Sequence, residues 1–291
     1  MPDPAFISTA RVAVIGLGLM GGSLAMALHG KCAALLGIDP NEDALSLALG
    51  KGFVDKVSTD PAELLPEADI VILAAPVQAI LAMLEALPRL HPGEALVLDL
   101  GSTKTEIMQA MDNLPWRFDG LGGHPICGKE KSGLENADAN LYRGAPFVLT
   151  PLPTTSPDGK AKALELVQVL GGRPLWLDAE THDRWIAFTS HLPYMLALSL
   201  AASTPLEAAP LVGPGFRSTS RVAATPASIM LDILATNRSN ILASVDLLRE
   251  QLDILEGCLR AEDWKALEKY MLAGAARQVE LSAGISQGDR R

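Results

Sequence analysis

Cysteine and histidine are scarce in this chain of 291 residues, three and five in number, and basic charge is outweighed. Lys and Arg total 24 against 34 Asp and Glu, a formal net charge of −10. Cys32, Cys127 and Cys258 are too few and too scattered for a disulfide framework or a zinc cluster. A reducing compartment is the simplest context. The acidic balance leaves no electrostatic footprint for nucleic acid and disfavours an anionic membrane surface. Val12 to Leu28 carries no charge, yet its glycines break it and it is short for a membrane span. The start, Met1-Pro2-Asp3-Pro4, lacks the basic segment of a secretion signal. These absences predict a cytoplasmic protein with no nucleic-acid and no membrane partner.

What is present is a well-packed globule with 48% hydrophobic residues. Strand-like runs alternate with helical patterns up to residue 178, the mark of βαβ units around a mostly parallel sheet. Strands are predicted over Arg11–Ile15, Leu35–Asp39, Asp69–Ala74, Ala95–Leu100, Pro146–Thr150 and Pro174–Leu177, and Leu121-Gly122-Gly123 reads as a strand end. Helices are predicted over Gln78–Leu87 and Thr103–Asn113, and 151–159 as a surface connection. From Ala179 strands cease. Trp185, Phe188, Leu192 and Leu196 recur at helical spacing, and Pro193 is expected to kink that helix and strand the Thr189 carbonyl. Residues 205–226 read as a loop. Ile241, Val245, Leu248, Leu252, Leu255 and Leu259 form a heptad seam, either a bundle core or a subunit interface. The tail after Ser282 reads as polar and frayed. The expected fold is α/β: a Rossmann-type dinucleotide-binding domain over 1–178, then an all-helical domain over 179–291 for substrate binding and dimerisation.

Val12–Ile15 runs into Gly16-Leu17-Gly18-Leu19-Met20-Gly21, with a helix expected to open at Ser23. The glycines supply a tight turn, close approach to a pyrophosphate and close helix–strand packing, and free amides at a helix start favour phosphate. Asp39 ends the next strand about 20 residues on, where a carboxylate accepts from adenosine ribose hydroxyls. It repels a 2′-phosphate, and Pro40-Asn41-Glu42-Asp43 brings no arginine to bind one. NAD is favoured over NADP.

Ser102, in Asp99-Leu100-Gly101-Ser102-Thr103-Lys104, follows a buried-type strand and serves equally as a helix N-cap or a site residue. His124 sits in a glycine-rich loop before Pro125, suited to accept a proton near neutral pH. His191 lies beside the expected kink, as a site residue or a structural one, whereas His29 and His91 read as surface positions. Arg217 and Arg221 lie four apart: they bind carboxylates if Arg221 begins a helix, and are otherwise solvated.

In this order, the fingerprint, Asp99–Lys104, His124-Pro125 with Gly128, Glu130 and Ser132-Gly133, Ser190–Pro193 and Gly215–Arg221 resemble the prephenate/arogenate dehydrogenase family of tyrosine biosynthesis. The resemblance extends from Val12 to about Leu272 and takes in Leu141–Pro151. It implies oxidative decarboxylation of a cyclohexadienol, prephenate or arogenate. His124 would accept the 4-hydroxyl proton as hydride leaves C4 for NAD, with Ser102 orienting imidazole and hydroxyl. Arg221 would position a substrate carboxylate with Arg217 in support, and His191 would lie near the substrate side chain or nicotinamide. Gly16, Gly18, Leu19, Met20, Gly21, Asp39 and Pro76 would contact the cofactor, and the C-terminal helices would pair in a homodimer. Three residues depart from the family pattern: Cys127 where alanine is frequent, Ser218 where an acid is common, and Met230 where some members have tryptophan. Two other readings are a 2- or 3-hydroxyacid dehydrogenase, which would be expected to place a catalytic lysine on a helix of the second domain, and a dinucleotide sensor without chemistry. Between Ala179 and Ile241 there is no lysine.

Overall fold

The computed structural model describes residues 6–129 and 131–287. The Met1–Pro4 start and Glu130 of the family pattern lie outside the described residues. Eight strands form one sheet: β1 (Arg11–Ile15), β2 (Ala34–Ile38), β3 (Lys56–Ser58), β4 (Ile70–Leu73), β5 (Ala95–Asp99), β6 (Phe118–Pro125), β7 (Pro146–Pro151) and β8 (Arg173–Trp176). Their order is β3-β2-β1-β4-β5-β6-β7-β8. Neighbours run parallel except at the antiparallel β6–β7 pair. The chain reverses direction across the sheet between β1 and β4, which opens a crevice at the carboxyl ends of the strands.

The central strands are apolar between their ends because both faces are covered. Val12, Val14, Ile70, Ile72, Leu96 and Leu98 enter the core on one face. Ala13, Ile15, Val71, Leu73, Ala95 and Val97 enter the core on the other. Two glycines make the first turn possible. Gly16 has φ +95°, and a side chain there would strike the Ala74 carbonyl. A Cβ on Gly21 would run into the Gly16 carbonyl oxygen and crowd Ala74 and Val14. The following helix spans Leu19–Leu28, so it opens four residues before Ser23.

After Trp176 the described elements are all helical. Ala179–Ile186 passes through a π-helical turn, Ala187–His191, into Leu192–Ser203. The expected disturbance before Pro193 thus takes the form of a wider turn, in which the Leu192 amide donates to Ala187. Of the residues whose spacing predicts this helix, Trp185, Phe188 and Leu196 are exposed, whereas His182, Asp183, Ile186, Ala187 and His191 are buried. By length and composition the run Ala179–Ser203 suffices to cross a membrane, yet its buried face carries polar side chains that are hydrogen-bonded to protein. Residues 205–226 are not a plain loop. They hold a 3₁₀ turn at Leu206–Leu211, a helix at Pro214–Ser220 and a second 3₁₀ turn at Arg221–Ala224. Likewise β7 reaches Pro151 and a helix starts at Pro157, which shortens the surface connection between them.

The chain forms two compact units, 1–238 and 239–291. The second is a helical hairpin within Arg238–Arg260 and Trp264–Gln287, turned at Glu262 with φ 50°. Tyr270 Oη donates to Gln251 Oε1 across it at 3.0 Å. Its helix continues past Ser282 to Gln287, where a frayed tail was expected, and 288–291 lie outside the described residues. Of the heptad seam, Ile241 is buried, whereas Leu252 and Leu259 are half exposed.

Gly21→Val should cost about 1–3 kcal/mol of stability through overpacking, read as a lower denaturant midpoint. An unchanged midpoint would mean that the turn is not held as described.

Candidate active site

Two adjoining cavities lie at the carboxyl edge of the sheet. One, of about 270 Å³, is walled by Gly18–Met20 after β1, Ala74–Val77 after β4 and Leu100–Ser102 after β5. Lys129, Lys131–Gly133, Thr225, Pro226, Ile229 and Ile233 complete it. The other, of about 200 Å³, is walled by Leu17, Gly18, Asp39, Asn41, Asp43 and Glu135, among others. Both share Gly18, where an added Cβ would meet nothing within 4 Å, so the backbone is open to close approach. Asp39 Oδ2 accepts from the Leu17 amide at 2.6 Å and Oδ1 from the Asn41 amide at 2.8 Å. That pins the carboxylate beside the turn, and each oxygen keeps acceptor capacity for a ribose hydroxyl. Open glycine backbone, a helix start and this carboxylate fit a dinucleotide.

The wall between the cavities is anchored to the Leu19–Leu28 helix. Tyr142 Oη donates to the Met20 carbonyl at 2.6 Å, the Asp138 amide donates to Ser23 Oγ at 2.9 Å, and Leu134 fills the space over Gly22. Lys129 and Lys131 line the first cavity. Pro76 begins the Val77–Leu90 helix in the same wall. The amide of Gln78, in that helix's first turn, donates to Asp232 Oδ2 at 3.1 Å.

His124 is not in a loop. It lies within β6, opposite Val148 of β7, and is partly buried. Its Nδ1 stands 2.8 Å from Nε2 of His182, and His182 Nδ1 stands 2.7 Å from Asp183 Oδ1. Asp183 also accepts the Lys104 amide on Oδ1 at 2.7 Å and the Thr105 amide on Oδ2 at 2.8 Å. These are the free N–H groups at the start of the Thr105–Asp112 helix. The cap of that helix therefore comes from Asp183, 78 residues away, and Ser102 is not its N-cap. Ser102 instead lines the first cavity.

Beneath this edge Lys104 Nζ is bonded to Asp99 Oδ2, both side chains wholly buried. Asp99 also accepts the amides of Gly101 at 2.7 Å and Gly123 at 3.2 Å, which ties β5 to β6. Burial pushes the Asp99 carboxyl up and the Lys104 ammonium down, and their mutual attraction opposes both shifts. Burial would raise the Asp183 carboxyl too, but hydrogen bonds from His182, Thr105 and Lys104 outweigh it and hold Asp183 below the usual carboxylate range. His124 lies well below the ordinary imidazole range, chiefly through burial, then through His182, Lys104 and His191.

His191 is buried, with its pKa down at about 4 through burial. Asn237 Nδ2 donates to the Asp183 carbonyl at 2.7 Å and faces His191 Nδ1 at 3.1 Å. Because that carbonyl requires a donor, the amide orientation is fixed, His191 Nδ1 accepts and its Nε2 carries the proton.

Arg217 and Arg221 are exposed, on the Pro214–Ser220 helix and the turn after it, and neither lines the cavity. His91 is not a surface residue: it is buried, with Nε2 2.8 Å from the Ala68 carbonyl and Nδ1 accepting from the Gly93 amide at 3.1 Å. Cys127 packs against the core with its thiol pushed up to about 11 by burial, a protonated packing group at neutral pH. His182, Asp183, Asp99 and Lys104 escaped any assigned role. The available signal was an adjacent His-Asp pair in the first helix after the last strand.

The buried neutral histidines carry a stability signature. Unfolded, His191 binds a proton near pH 6.5; folded, it does so only near 4. Between these values the unfolded chain holds more protons, so stability is full above pH 6.5 and falls as pH drops through the window. Denaturant midpoints at pH 7.5 and 5.0 should differ in that sense, and less so in His191→Gln. A midpoint constant across the window would contradict the burial.

Residues 24–175 match the family model for the prephenate dehydrogenase nucleotide-binding domain, and residues 178–273 that for the prephenate dehydrogenase dimerization domain. Prephenate dehydrogenase of Bacillus subtilis (strain 168) is 32% identical over 274 residues, 89% of this chain and 72% of its own length. Prephenate dehydrogenase of A. aeolicus, solved with hydroxyphenyl propionate and NAD+, superposes with a TM-score of 0.88 at 30% identity, covering 95% of this chain and 99% of that one. Synechocystis arogenate dehydrogenase superposes with a TM-score of 0.81 at 30% identity, over 93% and 99%. The chain belongs to the prephenate dehydrogenase family of oxidoreductases.

Proposed function

We propose that this protein oxidatively decarboxylates prephenate, arogenate or both, passing hydride to NAD. The observation that carries the reading is the placement of His124 at the carboxyl end of β6, with one ring nitrogen held by His182 and a dinucleotide turn three strands away at β1. NAD, when bound, supplies the hydride acceptor. His124 takes the 4-hydroxyl proton, and its lowered pKa keeps it unprotonated at neutral pH for that task. Ser102 orients the hydroxyl from the cavity wall, and His191, a fixed Nε2–H donor, faces the substrate. Arg221, exposed at the start of the turn that leads into the cavity residues Thr225 and Pro226, positions a carboxylate, with Arg217 in support. A contact to the carboxylate that departs must not hold the ground state too tightly, so Arg221 serves mainly to place the ring. Loss of carbon dioxide makes the ring aromatic, so alignment and one proton acceptor are the protein's main tasks.

Selection of NAD over NADP rests on charge. Asp39 and Asp43, with Glu135 opposite, line the second cavity, where a 2′-phosphate would meet like charge. The functional division is placed at 178/179, with the helical part forming a homodimer in the cytoplasm. Support for the dimer lies in apolar side chains that the hairpin leaves exposed, among them Leu252, Leu259, Trp264, Met271 and Leu272.

His124→Asn should lower turnover about 10²–10⁴-fold while NAD affinity is nearly unchanged, with wild-type rates higher on NAD than on NADP for either cyclohexadienol. Near-normal turnover in the variant would remove His124 as the base, and a clear NADP preference would overturn the charge argument. Light scattering of the purified protein should give a dimer; a monomer at every concentration would remove the assembly.

A further inference from the structure

We infer that His182 and Asp183 are positioning residues for His124: they fix its tautomer, so that Nε2 is the bare nitrogen, and they give the captured proton a second resting place. This rests on the reading of His124 as the base.

The tautomer is set from Asp183 outward. Three N–H donors converge on it, from the Lys104 and Thr105 amides and His182. An ionised carboxylate only accepts, so His182 Nδ1 must carry hydrogen. In a neutral ring the other nitrogen then accepts, which makes His182 Nε2 an acceptor toward His124. His124 Nδ1, 2.8 Å away, must donate. His124 Nε2 is left with its lone pair, and that nitrogen alone is available to a substrate hydroxyl. With the opposite tautomer the free nitrogen would already hold a proton and no base would exist.

The same chain balances the proton. As the substrate O–H bond breaks, an N–H bond forms at His124 Nε2. The hydrogen on His124 Nδ1 can then pass to His182 Nε2, one N–H bond breaking as another forms. The positive charge comes to rest on an imidazole already paired with the Asp183 carboxylate. Charged and titratable groups around His124 make that transfer useful. His182 and Asp183 face it from the Ala179–Ile186 helix, Lys104 from the loop after β5 and His191 from the π-turn. Burial, then His182, Lys104 and His191, oppose a lasting positive charge on His124. Moving the charge one ring away brings it against Asp183.

Two measurements test this. In ¹⁵N-histidine-labelled protein at pH 7.5, His124 signals are identified by their loss in His124→Asn. They should report a protonated Nδ1 and a bare Nε2; the reverse pattern overturns the proposal. Separately, His182→Leu should lower kcat about 10²-fold or more with NAD affinity and KM little changed. His182→Gln, whose amide oxygen can accept from His124 Nδ1, should recover at least part of that loss. A purely structural role for His182 would lower the folded fraction but leave kcat per NAD-binding site unchanged, and that result overturns the proposal. If His182→Leu does not fold, the wild-type spectrum decides. If wild-type protein oxidises neither cyclohexadienol, the functional reading fails while the tautomer is still measured. If His124→Asn abolishes turnover and His182→Leu does not, only the positioning role fails.

Discussion

One carboxylate, Asp183, joins the helical region to the working edge of the sheet. Its two oxygens accept the first free amides of the Thr105–Asp112 helix and the ring of His182. Its own carbonyl accepts from Asn237, which holds His191. A buried carboxylate is costly to desolvate unless its lone pairs are filled, and here they are filled by groups from the sheet's edge and from its own helix. The cost of burial therefore enforces the site's geometry: any movement of the Ala179–Ile186 helix would strand a charge and two helix amides together.

The electrostatics follow from that constraint. Histidines 124, 182 and 191 lie close together with Lys104, and low dielectric surroundings disfavour adding positive charge to the group. His124 and His191 respond by remaining neutral, and neutral imidazoles need defined hydrogen-bond partners because each nitrogen has only one role. Asp99 keeps Lys104 from acting as a free cation, and through the Gly101 and Gly123 amides it aligns β5 with β6. A buried pair of this kind contributes little net stability but strongly penalises the loss of either partner. Its value here is register, since Ser102 and His124 lie on the two segments it joins.

Much of this was legible in the sequence, and the omissions share a cause. The apolar runs of β1, β4 and β5 and the spacing from Gly16 to Asp39 are local signals, and each locates an element within a residue or two. Lys56–Ser58 is short and gives no apolar run, so β3 passes unnoticed. The helix after Ala179 is more instructive. Its apolar seam of Trp185, Phe188 and Leu196 reads as the buried face, yet the buried face holds His182, Asp183 and His191. Periodicity assumes that what is buried is apolar. That fails where hydrogen bonds spanning 46 to 79 residues satisfy the polar groups, because the partners are not sequence neighbours. His91 was misread for the same reason: the Ala68 carbonyl that receives its ring is 23 residues away.

The network also differentiates two identical side chains. His124 is reached through an acceptor, His182 Nε2, and so presents a bare nitrogen. His191 is reached through a donor, Asn237 Nδ2, and so presents an N–H. One aspartate lies behind both, by its carboxylate in the first case and by its main-chain carbonyl in the second. A proton acceptor and a hydrogen-bond donor thus arise from the same residue type without a charge on either, which suits a reaction that removes one proton and must keep an anionic substrate bound. In a site assembled this way the chemical identity of each imidazole is set by what stands behind it. The residues that decide function are therefore those, like Asp183 and Asn237, that need never touch the substrate.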